Sequence, residues 1–342
     1  MRRRRLSGLL LSTALLMLAA LAGVAVGARS LPPGTVYDAV HHALTCPGGP
    51  FTCAAGSTEE QIVRGLRLPR TALALVCGAA LGIAGALIQG YTRNPLADAG
   101  LLGLNAGAAF LAALSVYLFS YSAPEQYIWF ALAGALVAGL VVFATSSVGG
   151  GKASPLSLVL AGAAITAFLQ AMTNAVVLFD AAALDTYRFW VIGTVAGRDA
   201  EVFWQVLPFL AAGILLAVSA APGLNLIGLG DDVARGLGVH VGRNRALGLA
   251  AVVLLAGAAT AAVGPIAFLG LVVPHLARTI TGPDHRWLIP YSGLFGALLL
   301  LIADIAGRVV ARPGELEVGA MLAVLGVPFF LAFVRRRKLV TL

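Results

Sequence analysis

Charge is what this chain most lacks: Asp, Glu, Lys and Arg make up 11% of 342 residues, against 59% hydrophobic residues and a mean hydropathy of +0.92. No soluble core of this length can hide that much apolar surface, so the chain belongs in lipid. Cysteine is nearly absent, with three residues, and no second Cys/His pair stands at ligand spacing; a thiol metal framework is excluded. Catalytic signatures are missing too. There is no His-Glu-x-x-His, no Gly-x-Ser-x-Gly and no Gly-x-Gly-x-x-Gly opening a helix. Gly149-Gly-Gly-Lys152 imitates a phosphate loop, but Ser146 replaces its first glycine and Ala153 replaces the magnesium-binding Ser or Thr. The chain therefore reads as a non-enzyme, without a bound cofactor or metal. His41, His42 and Asp38 are the one weak metal grouping, better explained as a solvated loop.

What is abundant is glycine, 41 residues, spread among apolar runs where small residues let helices approach closely. Ten runs read as spans: 6–28, 71–90, 96–119, 126–147, 155–179, 202–220, 246–263, a short one at 266–280 after Gly264-Pro265, 288–310 and 318–334. Arg2–Arg5 before the first run resembles a signal peptide with a small-residue site near Val26–Ala28. Its apolar run is longer than a signal core of about 7–15 residues, which favours a retained span. Asp185–Arg198 is too short and polar to cross and suggests a surface helix. The expected fold is an all-α polytopic membrane bundle of about ten helices in a single domain, 1–342. An outer loop and entry cover 29–70, and a cytoplasmic connection covers 221–245.

Threading these spans from an inside N-terminus puts Arg2–Arg5, Arg93, Lys152, Arg235, Arg243, Arg245, Arg278, Arg286 and Arg335–Lys338 inside, 15 of 23 basic residues. That asymmetry agrees with the positive-inside rule and makes both termini cytoplasmic. It also explains the net charge of +8 without nucleic acid, because the basic residues sit at span ends rather than on one face.

Four polar features stand out. Gln89, Arg93, Asn94, Pro95 and Asp98 form a hinge between two spans, broken by the proline. Thr166, Gln170, Thr173 and Asn174 fall on one face of the fifth span, suited to interhelical bonding or to lining a translocation pathway. Leu224, Gly230, Asp231, Asp232, Arg235, Gly236 and Gly238 mark short helices with acids at an N-terminal end, a platform for a cytoplasmic partner. Arg67 and Arg70 at the second span's mouth lack an evident partner and are open to an acidic docking protein, whereas Arg308 has Asp304 at i,i+4. Cys46 and Cys53 share the outer loop, where a disulfide and two separate thiols remain alternatives.

These residues resemble the FecCD-type permeases, membrane subunits of binding-protein-dependent ABC importers for ferric siderophores, haem and cobalamin. The resemblance rests on Arg67-Leu-Pro-Arg70, Arg93-Asn-Pro-Leu-Ala-Asp98, Gly264 through Arg278, Asp284-His-Arg286, Ala303-Asp304-Ile-Ala-Gly-Arg308 and Gly326-Val-Pro-Phe329. Ala99 departs from the proline usual there. The resemblance implies a permease in the cell's inner membrane, paired with a second permease subunit, two ABC ATPase subunits below that use ATP and Mg, and an extracytoplasmic substrate-binding protein. It assigns Arg67, Arg70 and Arg308 to docking that protein and Leu224–Val239 to coupling. Ferric siderophore import by ATP-driven alternating access is the expected function. Haem or cobalamin import is the alternative, followed by an ion-coupled secondary transporter. Asp98 and Asp304 argue against the last, because they lie near span ends rather than at the midplane.

Overall fold

The computed structural model describes residues 2–46, 56–121, 123–146 and 155–335, and every regular element among them is helical. Helix α1 (Arg2–Ala25) is followed by α2 (Pro33–Thr45), α3 (Thr58–Gln61) and a π-helical turn at Ile62–Arg67 that runs directly into α4 (Leu68–Thr92). A 3-10 turn, Ala99–Leu102, precedes α5 (Leu104–Phe119), α6 (Pro124–Ser146), α7 (Pro155–Phe179) and the short α8 (Ala181–Trp190). Then come α9 (Ala200–Ile227), α10 (Asp231–Gly236), α11 (Val241–Val263), α12 (Leu269–Thr281), α13 (His285–Val310) and α14 (Val318–Arg335). Polar side chains start several of them: Ser57, Asp180, Asp199 and Asp284 each accept a hydrogen bond from an N–H of the following first turn.

Seven helices among the described residues are long and apolar enough to cross a bilayer: α1, the continuous 58–92 rod ending in α4, α6, α7, α9, α11 and α13. The chain is a multi-pass membrane protein. Three of the ten expected spans fall short of that length. Helix α5 has 16 residues, α12 has 13, and α14 is apolar over Val318–Pro328. At 1.5 Å per residue a helix needs about 20 residues to cross some 30 Å of hydrocarbon. Boundaries also move, and the seventh span starts at Val241 instead of 246. The third span, α5, starts at Leu104 instead of 96, because Asp98 caps the intervening 3-10 turn. The sixth runs to Ile227, past Pro222, because Ala221, Leu224 and Ile227 continue its buried face.

Helix α4 is the axis. It is buried along nearly its whole length and packs against α13, α12, α11 and α9. Glycine makes this possible: a Cβ on Gly78 would collide with the Gly296 carbonyl of α13, and one on Gly85 with the Gly270 carbonyl of α12. Backbones meet where no side chain intervenes, as expected in lipid. Helices α1 and α7 are the least enclosed of the long helices. Outside the bundle, α2 packs Val36, Ala39 and Val40 against Val24 and Val63. His42 contacts Glu60, which also pairs with Arg64, while His41 stacks on Tyr37. Cys46 is disulfide-bonded and Cys77 is a free, buried thiol on α4. Cys53 lies outside the described residues.

Candidate functional site: two arginine clusters joined by one helix

Two clusters, named inner and outer after the sides on which the sequence threading places them, lie at the two ends of α4; the inner one forms where α4 ends. Arg93 adopts a left-handed backbone (φ 50°) as the helix terminates, and the Asn94 N–H reaches back to the Gln89 carbonyl at 3.2 Å. Its guanidinium donates to the Ile227 carbonyl (2.6 Å) and to Asp231 (2.8 Å). Asp231 opens α10 and also receives Arg245 of α11 at 3.1 Å, with Arg235 at 3.9 Å; Arg235 holds the exposed Asp232 at 2.6 Å. One carboxylate thus ties the hinge to the starts of α10 and α11, and Arg93 adds the end of α9 through the Ile227 carbonyl. Asn94 accepts from the Leu96 N–H and Asp98 from the Gly100 N–H, so both close the chain's own turn after Pro95.

Gly230 and Gly238, both with positive φ, bracket α10, and Gly236 sits in its last turn. Leu224 departs from the expected set. It lies fully buried in the last turn of α9, where apolar packing outcompetes exposure. The exposed apolar residues of this segment are instead Leu229, Val233 and Leu237. Their spacing of four was the available sequence signal, masked by the acids and glycines between them.

Gln89 belongs to the core rather than to the surface. Pro274 inside α12 has no N–H for the Gly270 carbonyl four residues earlier, and the Gln89 amide donates to that oxygen at 3.1 Å and to Leu271 at 3.3 Å. The Gln89 oxygen accepts from Arg278, near the other end of α12, at 2.6 Å.

The outer cluster surrounds Asp304, which is 1% exposed. Arg70 binds one carboxylate oxygen through Nε (2.9 Å) and Nη2 (2.7 Å), and Arg308 binds the other. Arg70 also reaches Glu315 at 2.5 Å. Helix α1 ends here with carbonyls that have no helical partner. Arg308 takes those of Gly23 and Val26, Arg67 those of Val24, Ala25 and Arg29, and Arg312 that of Gly27. Cations suit a helix C-terminus. The expectation that Arg67 and Arg70 lack partners is therefore corrected: their partners lie on α1, α13 and beyond, far away in sequence. Arg67 and Arg308 are 5% and 1% exposed, so they shape the outer surface from below rather than project from it.

The stripe on α7 is only partly assembled. Gln170 donates to the Tyr187 hydroxyl of α8 at 3.0 Å and lies 3.3 Å from Asn174, which is exposed. Thr173 is buried and bonds its own helix at Leu169; Thr166 is half-buried, near Gly103. One functional candidate was missed by sequence reasoning altogether. Arg198, between α8 and α9, is 6% exposed and lines two outer cavities of about 420 and about 410 Å³. Nothing about its spacing distinguished it from a loop arginine.

The folded class is a helical, multi-pass membrane protein with charged clusters at both ends of its axis and no group of three or more metal-ligating side chains among the described residues. The model of the FecCD transport family matches residues 15–336. The chain is 45% identical over 331 residues to the ferric enterobactin transport system permease protein FepD of Escherichia coli (strain K12), covering 96% of this chain and 94% of that one. It is 38% identical to the probable siderophore transport system permease protein YfiZ of Bacillus subtilis (strain 168), covering 84% and 86%. A solved inward-facing structure of the metal-chelate ABC transporter type superposes with a TM-score of 0.81 at 25% identity, covering 96% of this chain and 99% of the other. This chain belongs to the FecCD transport family. It is a permease subunit of the siderophore and iron importer type, in which ATP hydrolysis resides in a separate subunit.

Proposed function

We propose that this chain is the membrane-spanning subunit of a binding-protein-dependent importer that moves ferric siderophores by ATP-driven alternating access. The observation that carries the reading is the Asp231 cluster. A short surface helix, exposed on its apolar side, anchored through one carboxylate to the end of α4 and to α11, and joined to α9 by Arg93 at the Ile227 carbonyl, suits a lever that passes a partner's motion into the bundle. Leu229, Val233 and Leu237 offer the contact to the ATPase subunit, with Asp232 and Arg235 beside them. The ferric siderophore class is supported by similarity to FepD and YfiZ.

In this reading the protein sits in the inner membrane with ten crossings and both termini cytoplasmic. Helices α5, α12 and α14 complete the seven longer spans as short or tilted members. The open face of α7, with Phe168 and Met172, meets a second permease subunit, and Gln170 and Asn174 face the pathway between them. The binding protein docks over Arg67, Arg70 and Arg308, which hold α1 and α13 in the shape it recognises. The chain makes no covalent bond; it favours outward and inward arrangements in turn.

Reconstitution with the ATPase subunits and the binding protein in vesicles tests this. Uptake of an iron-labelled siderophore is expected to require ATP and the binding protein. Uptake that ran on a proton gradient without either would replace the proposal with an ion-coupled transporter.

A further inference from the structure

The outer arginines are not equivalent. Arg70 and Arg308 spend their donors on Asp304, Glu315 and the end of α1, and Arg67 is held by three carbonyls. Arg198 is different. Among the described residues its guanidinium makes one hydrogen bond, to the Tyr127 hydroxyl at 2.8 Å, and no ion pair. Its Nε is sealed from solvent without an acceptor, as is Nε1 of Trp190. Both residues are more than nine-tenths buried and line the same cavity of about 410 Å³. A buried cation with only a neutral partner is costly unless an anion joins it.

Arg198 also stands where that cavity adjoins the neighbouring one of about 420 Å³, whose lining includes Arg29, Arg67, Arg70 and Arg308 against a single carboxylate, Glu315. Of the two acids lining the first cavity, Asp185 is already paired with Arg188 at 3.1 Å, and Glu317 makes no ion pair with Arg198. Phe189, Trp190 and Tyr127 supply flat apolar walls. The cavity neighbours the proposed pathway side of the bundle, because α8, which carries Phe189 and Trp190, is tied by Tyr187 to Gln170 of α7.

We infer that Arg198 is an oxyanion receptor for the cargo: it takes a carboxylate carried on a flat ring of an iron chelate entering from outside. This rests on the importer reading and adds the charge of the substrate to it. Fe(III) is a hard cation held by oxygen donors, and a chelator that supplies more than three negative charges leaves the complex anionic. A planar guanidinium with free donors beside aromatic walls suits such a group.

The test uses the full chain in lipid nanodiscs, titrated with 2,3-dihydroxybenzoate and its neutral amide, 2,3-dihydroxybenzamide, followed by tryptophan fluorescence. The carboxylate is expected to bind about tenfold more tightly than the amide, and Arg198→Gln to erase that difference. Glu317→Gln, which leaves Arg198 in place, is expected to tighten carboxylate binding about threefold. Equal binding of acid and amide by the unaltered chain, or no saturable binding of either, overturns the proposal. Docking of the importer's own binding protein is measured on the same variants and is expected to be unchanged by Arg198→Gln. Lost docking with intact acid selectivity assigns the anion to the docked protein and overturns the cargo assignment. Nanodisc binding requires neither ATP nor transport, so failure of vesicle uptake with intact acid selectivity counts against the importer reading alone.

Discussion

Asp304 and Asp231 invite comparison. Each is a single aspartate that joins an arginine of its own helix to one distant in sequence, at the outer end of α4 for Asp304 and at the inner end for Asp231. Asp304 is 1% exposed and shares its two arginines in a fixed geometry, whereas the Asp231 side chain is 24% exposed and one of its three arginines stands at 3.9 Å. The same chemistry gives a lock where water is excluded and a screened, adjustable joint where it is not. Under the proposed mechanism the inner end changes shape and uses the second kind, while the first kind holds the outer end together.

The sharpest way to break the comparison is Asp304→Ala, which strands Arg70 and Arg308 in the interior. A loss of about 3–5 kcal/mol in stability is expected, visible as a large fall in melting temperature or in folded yield. A loss below about 1 kcal/mol would show that the outer cluster is no lock. Next is Gly85→Val on the shared axis, which forces α4 and α12 apart and is expected to cost about 1–3 kcal/mol by thermal denaturation. Asp231→Ala should cost about 1 kcal/mol or less, yet sharply reduce uptake per ATP hydrolysed in vesicles. Salt sharpens the contrast: from about 0.1 to about 1 M the Debye length falls from about 10 to about 3 Å, so coupling through Asp231 should weaken while the effect of Asp304→Ala stays unchanged. The smallest effect belongs to Asp185→Asn, whose partner Arg188 is equally exposed; a change within about 0.5 kcal/mol is expected.

Helical content and lipid residence were legible because both follow from composition and run length. The hinge was legible as a break, because Pro95 acts locally. Its wiring was not: Arg93 meets Asp231 across 138 positions, and Arg70 meets Asp304 across 234. Arg67 looked unpartnered for a related reason. Its partners are backbone carbonyls at the end of α1, and every residue carries a carbonyl, so no side-chain pattern announces them. Arg308 was read correctly as a partner of Asp304, since four residues on a helix are neighbours. Leu224 was placed in the cytoplasmic connection 221–245, whereas α9 continues through it and packs it in the core. Arg198 escaped notice because what sets it apart is a missing counter-ion, and absence of a contact leaves no trace in sequence.

The Gln89 amide carries a mechanical consequence. By gripping α12 near both ends, at the carbonyl freed by Pro274 and at Arg278, it fastens that short helix to α4 like a rivet through two plates. Any rocking of the bundle must carry α12 along with its axis. The flexing is then displaced to the two non-helical joints beside it, around 264–268 and 282–284.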